Sequence, residues 1–214
     1  MKILHTSDIH GNYHKVLELL EGAHDVWVDS GDFFPNKTRG DRPEEVRYQN
    51  RFWILKGLGA RIVEALDGRP LISVGGNHDY IDLAALVREA GGVAYNVSDG
   101  PAVVGGLKFA GFREVPWIAG EWNGETHDFS DIVEKAMGES PDVLVTHGPA
   151  SGLLDQADDG RPCGVRNLTT QLMYAPHNVK AHLFGHIHNQ GESTLEEAGI
   201  LFSNAATGSN TINL

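Results

Sequence analysis

Five short blocks of this 214-residue chain gather side chains that bind divalent cations. They are Asp8-Ile9-His10, Gly31-Asp32, Gly76-Asn77-His78-Asp79, Thr146-His147-Gly148 and Gly185-His186-Ile187-His188. Carboxylate oxygens, an amide oxygen and imidazole nitrogens suit Mn, Fe, Zn and similar ions. The candidate ligands are Asp8, His10, Asp32, Asn77, His147, His186 and His188. Seven exceed what one tetrahedral or octahedral ion takes from a protein, so the pattern predicts two cations. Within Asp8-Ile9-His10 and His186-Ile187-His188 the two-residue spacing is read as extended chain, with both polar side chains on one side and the isoleucine in the core.

Groups so far apart in sequence must be brought together by the fold. Each block follows an apolar run of strand length, at residues 2–6, 26–28, 70–74, 143–145 and 181–184. Helical patterns occupy 13–20, 44–66, 83–90 and 132–137, with Pro43 at a first helical position and a bend expected near Gly57. Strand and helix alternate, and in open α/β sheets ligands sit beyond the carboxyl ends of the strands, so the blocks are expected to converge on one crevice. Gly105-Gly106 predicts a tight hairpin between 103–104 and 108–110, and 193–195 with 200–203 a second. The polar loops 35–42 and 155–162 are expected to be mobile and to frame the site.

Composition narrows the class. With 41% hydrophobic and 21% charged residues, 214 residues suit one domain spanning 1–214, and no apolar run is long enough to cross a bilayer. The start of the chain shows no export-signal pattern, which predicts a cytoplasmic location. Cys163 is the only cysteine, so intrachain disulfides and thiolate metal clusters are excluded. A formal charge of -12 disfavours long nucleic acids, while small anions stay possible because a bound cation reverses the local field.

The ordered blocks resemble the calcineurin-like metallophosphoesterase superfamily, whose signature runs DxH, GD, GNHD, an internal histidine and GHxH. The resemblance implies a four-layer α-β-β-α sandwich of two mixed sheets flanked by helices. It also implies a binuclear centre: Asp8, His10, Asp32 and His188 on one ion, Asp32, Asn77, His147 and His186 on the other, with Asp32 bridging. A hydroxide between the ions would attack phosphorus. Mn is the leading ion, with Fe, Zn, Ni, Co or Mg as alternatives. His78 would protonate the leaving group, and Asp79 would hold its other ring nitrogen. Thr146-His147-Gly148-Pro149, the Gly-Leu-Leu-Asp at 152–155, the Pro- and Trp-bearing stretch 115–123 and the 182–188 segment are similar to the metallophosphoesterase-domain subfamily of cyclic-nucleotide-type phosphodiesterases. Cys163-Gly164 departs in order from that subfamily's Gly-Cys, whereas His186, replaced by Gly in some members, is retained.

The resulting expectation is hydrolysis of a small phosphodiester such as a cyclic nucleotide. A phosphomonoesterase and a non-catalytic scaffold are the alternatives, and oligomeric state is left open. Several residues invite a plainer reading. Asn12 is assigned the N-cap of the first helix in preference to a phosphate contact, and Trp117 and Trp122 are assigned to packing in preference to a rim against a nucleobase. Arg39, Arg42 and Arg161 are read as solvated, and His5, His14, His24, His127, His177 and His182 as hydrogen-bonded or solvated.

Overall fold

The computed structural model describes residues 1–214. Its first half alternates strand and helix: β1 (Lys2–Ser7), α1 (Tyr13–Leu20), β2 (Val26–Asp29), α2 (Arg42–Lys56), α3 (Leu58–Leu66), β3 (Leu71–Ser73), α4 (Leu83–Glu89) and β4 (Ala94–Asn96). The second half contains β5 (Ala102–Val104), β6 (Leu107–Phe112), β7 (Val115–Pro116), β8 (Glu125–Thr126), α5 (Ser130–Gly138), β9 (Val143–Thr146), α6 (Arg166–Tyr174) and β10 (Ala181–Phe184). A 3₁₀ turn at His188–Gln190 and strands β11 (Ser193–Glu197), β12 (Ile200–Asn204) and β13 (Gly208–Asn213) complete it.

These strands form two mixed sheets, β13-β1-β2-β3-β4 and β11-β12-β10-β9-β6-β5, plus the small pair β7-β8. β1 to β4 run parallel in the first sheet, as do β12, β10, β9 and β6 in the second. The pleat sends alternate residues to opposite faces, which explains the three apolar layers. Leu4, Trp27 and Leu71 face outward onto Leu20, Ile62 and Leu66 of the helices. Ile3, Val26, Val28 and Ile72 face inward against Val143, Val145 and Leu183 of the other sheet. Leu144, Phe184 and Phe202 face out again, onto Val133, Leu168 and Leu172 of α5 and α6. The four-layer sandwich follows, and each fully buried aliphatic side chain contributes roughly 1.5–3 kcal/mol.

Sequence expectation and structure differ at identifiable places. The expected long helix over 44–66 starts at Arg42, where the Asp41 carboxylate accepts from Glu44 N–H, and is cut in two at Gly57, which adopts φ 58 and caps α2. A left-handed residue cannot continue a helix, so the expected bend becomes a break. Asn12 precedes α1 but makes no side-chain capping bond, so the capping role assigned to it is not formed. Both expected hairpins are present, with positive φ at the two central residues of each turn, Gly105-Gly106 and Ala198-Gly199. Strands β4 and β13 and helix α6 were not foreseen. β13 buries only Gly208 and Ile212, and α6 shows the core only Leu168 and Leu172, too little apolar pattern to announce either element.

Two histidines lie in the apolar layers. His5, between the sheets, places its ring nitrogens 2.8 Å from Ser203 Oγ and 3.0 Å from Ser30 Oγ. His182, on the outer face beside Phe184 and Phe202, puts Nε2 2.8 Å from Thr146 Oγ1 and leaves its other ring nitrogen unpartnered. Burial pushes both imidazoles down to about 3. Each is therefore neutral when folded, whereas the unfolded chain takes up a proton near pH 6.5. Their contribution to stability is complete above that pH and declines as pH falls toward 3, at up to ~1.4 kcal/mol per pH unit for each ring. His182→Phe, which keeps the apolar packing, should flatten the decline of the urea midpoint between pH 6.5 and 4. An unchanged slope would place the acid sensitivity elsewhere.

Candidate metal centre

All five blocks lie just beyond the carboxyl ends of parallel strands, β1, β2 and β3 from one sheet and β9 and β10 from the other. The loops that carry these blocks, within the first sheet and between the two, meet at very short range. A Cβ on Gly185 would stand 1.9 Å from Ser7 Oγ and 2.2 Å from Asp8 Oδ2, and one on Gly76 would stand 2.1 Å from Asp32 Oδ1. Only glycine fits at these two positions, because each lets a carboxylate from a neighbouring loop approach the backbone.

The spacing argument for the paired blocks reached the right side-chain placement by the wrong backbone. Ile9 and Ile187 are buried as expected. However, β1 ends at Ser7 and β10 at Phe184, so neither block is extended strand. Asp8, His10, Asp32 and His186 all have positive φ, at 54°, 45°, 58° and 66°. Left-handed backbone at a non-glycine residue costs about 1–3 kcal/mol and survives only where the surroundings enforce it. Four such residues among seven candidate ligands mark a site shaped for something other than stability.

Each carboxylate uses one oxygen for the protein and turns the other into a common cleft. Asp8 Oδ2 accepts from Ser7 Oγ at 2.7 Å and from His186 N–H at 2.8 Å, while Oδ1 lies 3.0 Å from His188 Nε2 and 3.9 Å from His10 Nε2. Asp32 Oδ1 accepts from His78 N–H at 2.7 Å, while Oδ2 lies 3.2 Å from His147 Nε2 and 4.0 Å from the Nε2 atoms of His10 and His78. His147 donates Nδ1–H to Ser30 O at 2.8 Å, which turns Nε2 toward Asn77 Oδ1, 3.0 Å away, as well as toward Asp32. Three groups have ligand atoms close enough to share an ion: Asp8, His10 and His188; Asp8, Asp32 and His147; and His10, Asp32 and His78. His186 joins none of them, although its ring lies 5.0 Å from that of His147 and lines the same cleft.

The electrostatics fit a cation. Burial pushes both Asp8 and Asp32 up, yet the His188 hydrogen bond at the first and the His147 charge at the second outweigh it and hold both carboxyls below their usual range. The histidines respond in kind. Burial opposes charge on His147, but Asp32 and Asp8 raise it to about 9, and the Asp8 hydrogen bond raises His188. His186, where burial wins, falls to about 4. The second proton of His147 therefore sits on Nε2, between Asp32 Oδ2 and Asn77 Oδ1, in a space where a divalent ion would satisfy the same three ligands. Hard and borderline O and N donors with no thiolate suit Mn, Fe, Zn and similar divalent ions.

The cleft, about 300 Å³, is lined by Asp8, Asp32, Asn77, His78, His186 and His188 on its floor, and by Ile118, Trp122, Asp158 and Asn189 around them. Loop 155–162 supplies Asp158, so it does frame the site. Trp122, assigned to packing, instead lies on His78, with ring centroids 4.1 Å apart, and faces the cleft; Trp117 stacks on His127 at 4.6 Å outside it. Arg39 and Arg161 are exposed and paired with Glu121 and Asp159, as solvated residues are.

Asp79 does not hold His78. Its buried carboxylate accepts from Asp32 N–H, Gly76 N–H and Phe34 N–H at 2.7, 2.9 and 3.0 Å, tying the Gly31-Asp32 loop to the Gly76–Asp79 loop. The ring nitrogen of His78 expected to meet it lies 2.5 Å from Asn36 Oδ1 instead. The sequence reading missed Asn36, Ser7 and Ser30, whose roles depend on backbone turns that no spacing rule encodes.

No curated protein matches the chain. Residues 1–190, which hold all five blocks, match the calcineurin-like phosphoesterase family model. The match covers the centre and most of both sheets, and so the chain belongs to the calcineurin-like phosphoesterases, enzymes of metal-dependent phosphate-ester hydrolysis.

Proposed function

We propose that the protein hydrolyses a small phosphodiester, a cyclic nucleotide or a related ester, at a centre of two divalent ions with Mn²⁺ the leading candidate. The observation that carries this reading is the cleft's lining: three carboxylates, two amides and three histidines, with no lysine or arginine. A phosphate anion entering such a cleft meets no lysine or arginine. When bound, two divalent ions supply that charge, activate water as a nucleophile near neutral pH and neutralise the phosphoryl oxygens.

The chain's own residues then have distinct tasks. Asp8, His10 and His188 form one cradle, and Asp32, Asn77, His147 and His186 the other. Asp32, whose Oδ1 accepts from His78 N–H and whose Oδ2 faces His10, His78 and His147, would be the residue shared between them. His78, a quarter exposed and facing the cleft, protonates the leaving oxygen through Nε2. A diester carries one negative charge and a monoester up to two, and a dianion calls for arginine-type clamps that the cleft lacks. Asp158 at the rim adds to that bias.

In metal-stripped protein reconstituted with Mn²⁺, bis-p-nitrophenyl phosphate should be cleaved faster than p-nitrophenyl phosphate. Asp32→Asn should lower turnover by at least about a hundredfold, since even partners behind metal ligands are worth 10–100-fold. Faster monoester cleavage would favour the phosphatase alternative, and near-normal turnover in the mutant would sink the mechanism. His78→Ala should slow esters with alkoxide leaving groups by ~10²–10⁴, and esters of p-nitrophenol far less. Equal losses would make His78 a ligand or a positioning group.

Metal binding should also release protons. A coordinating His147 must lose the Nε2 proton that it holds up to about pH 9 in the metal-free state, so affinity should rise from pH 7 to 9. Calorimetry at pH 7 in buffers of different ionisation enthalpy would show the release, and buffer-independent heats would contradict it.

A further inference from the structure

His78 carries the only proposed proton transfer, and three contacts fix its ring. Nδ1 lies 2.5 Å from Asn36 Oδ1, the indole of Trp122 packs on one face at 4.1 Å, and His10 meets it nearly at right angles at 4.9 Å. The amide of Asn36 is itself oriented without ambiguity. Its Nδ2 lies 3.0 Å from the His78 carbonyl oxygen and 3.3 Å from Glu45 Oε2, and both partners can only accept. Oδ1 is therefore the atom that meets His78, and an amide oxygen only accepts, so His78 Nδ1 must carry a hydrogen.

Glu45 anchors this arrangement from α2. Its side chain is fully buried and accepts from Lys37 N–H and from the N–H and hydroxyl of Thr38, besides Asn36. Gln49, one helical turn later, donates Nε2–H to the same His78 carbonyl at 2.7 Å. The start of α2 thus holds the loop that follows the Gly31-Asp32 block and, through it, the ring of His78.

We infer that Glu45 and Asn36 are positioning residues that lock His78 in its Nδ1–H form, with Nε2 left facing the cleft. The inference rests on the general-acid reading of His78 only for its catalytic consequence. The lock itself is a statement about the ring. Asn36 Oδ1 accepts from Nδ1–H in both the neutral and the protonated ring, so the proton cycle at Nε2 disturbs no hydrogen bond of the scaffold. A carboxylate in the place of Asn36 would raise the basicity of the ring as well as orient it. A neutral amide only orients it.

The test uses the full chain loaded with Zn²⁺ and labelled with ¹⁵N-histidine, the His78 signals being identified by their loss in His78→Gln. Long-range ¹H–¹⁵N correlations at a pH where the ring is neutral should show His78 protonated at Nδ1. Asn36→Ala should shift it toward a mixture of tautomers and cost about 10–100-fold in turnover of alkyl diesters, with less than about threefold on p-nitrophenyl esters. Glu45→Ala should act in the same direction, while Glu45→Gln keeps an acceptor for Asn36 Nδ2 and should retain the Nδ1–H form and most alkyl-ester activity. A wild-type ring protonated at Nε2, or a tautomer unchanged in Asn36→Ala, would overturn the lock. Equal losses on both ester classes in His78→Ala, with the tautomer as expected, would leave the lock standing and remove the general-acid reading.

Discussion

The approach of two buried carboxylates, Asp8 from one loop and Asp32 from another, is the constraint around which the rest of this protein is arranged. Both are almost wholly inaccessible, at 3% and 1% exposure. Like charges so close repel, and burial opposes each of them separately. The fold keeps them together by giving each one oxygen to backbone N–H donors and by surrounding the other with imidazoles. It also accepts left-handed backbone at both positions, with glycines opposite so that nothing else competes for the space. None of this helps a chain to fold. It is intelligible as preparation for cations, which would take the place of the proton that His147 shares with the same carboxylate and amide oxygens.

That constraint explains the architecture. The carboxylates and histidines come from two sheets, so the site exists only if the sheets pack face to face with their parallel strands ending on one side. The inter-sheet layer of Ile3, Val28, Val143, Val145 and Leu183 sets that packing, and the His5 contact with Ser203 adds a directional cross-link within it. The loops beyond the strands are then tied to one another rather than left to solvent. Asp79 binds the Gly31-Asp32 loop, Arg113 donates to the Gly76 and Asp79 carbonyls at 2.7 and 2.8 Å, and Asn123 caps Asp79 O at 2.8 Å. With Asn123 N–H on the Asn77 carbonyl at 3.1 Å and Asn36 and Gln49 on that of His78, the loop is held at four successive carbonyls.

How much of this could be read from sequence follows the same division. Strand-length apolar runs ending in Asp, Asn or His revealed the five blocks, because burial on both faces leaves an unmistakable hydrophobic signature and ligand chemistry uses few residue types. What stayed hidden was whatever depends on φ or on a polar residue reaching across loops. The spacing of Asp8 and His10 suggested extended chain, whereas left-handed turns deliver both side chains. Asp79 beside His78 suggested a pair, but adjacent side chains diverge, and the partner of His78 is Asn36, 42 residues away. Trp122 read as core, because an aromatic in sequence does not disclose that it covers the ring of a cleft histidine. β13 was invisible for a different reason. As a polar edge strand it is held by its backbone ladder to β1, which any sequence can supply.

The acidity of the chain and the chemistry of the cleft bear on each other. A net charge of -12 would seem unsuited to an enzyme of anionic substrates. Here the field at the cleft is set by what occupies the carboxylates, not by the surface. With two divalent ions in place, the floor formed by Asp8 and Asp32 turns from net negative to net positive over a few ångströms, while Asp158 at the rim and the rest of the surface stay negative. A small ester can reach the floor and expose little of its charge to the rim. Under the proposed function a polyanion would be disfavoured, because phosphates beyond the scissile one would lie against the acidic surface with no lysine or arginine in the cleft to receive them. The proposed selectivity for small substrates would therefore follow from the same carboxylates that assemble the centre.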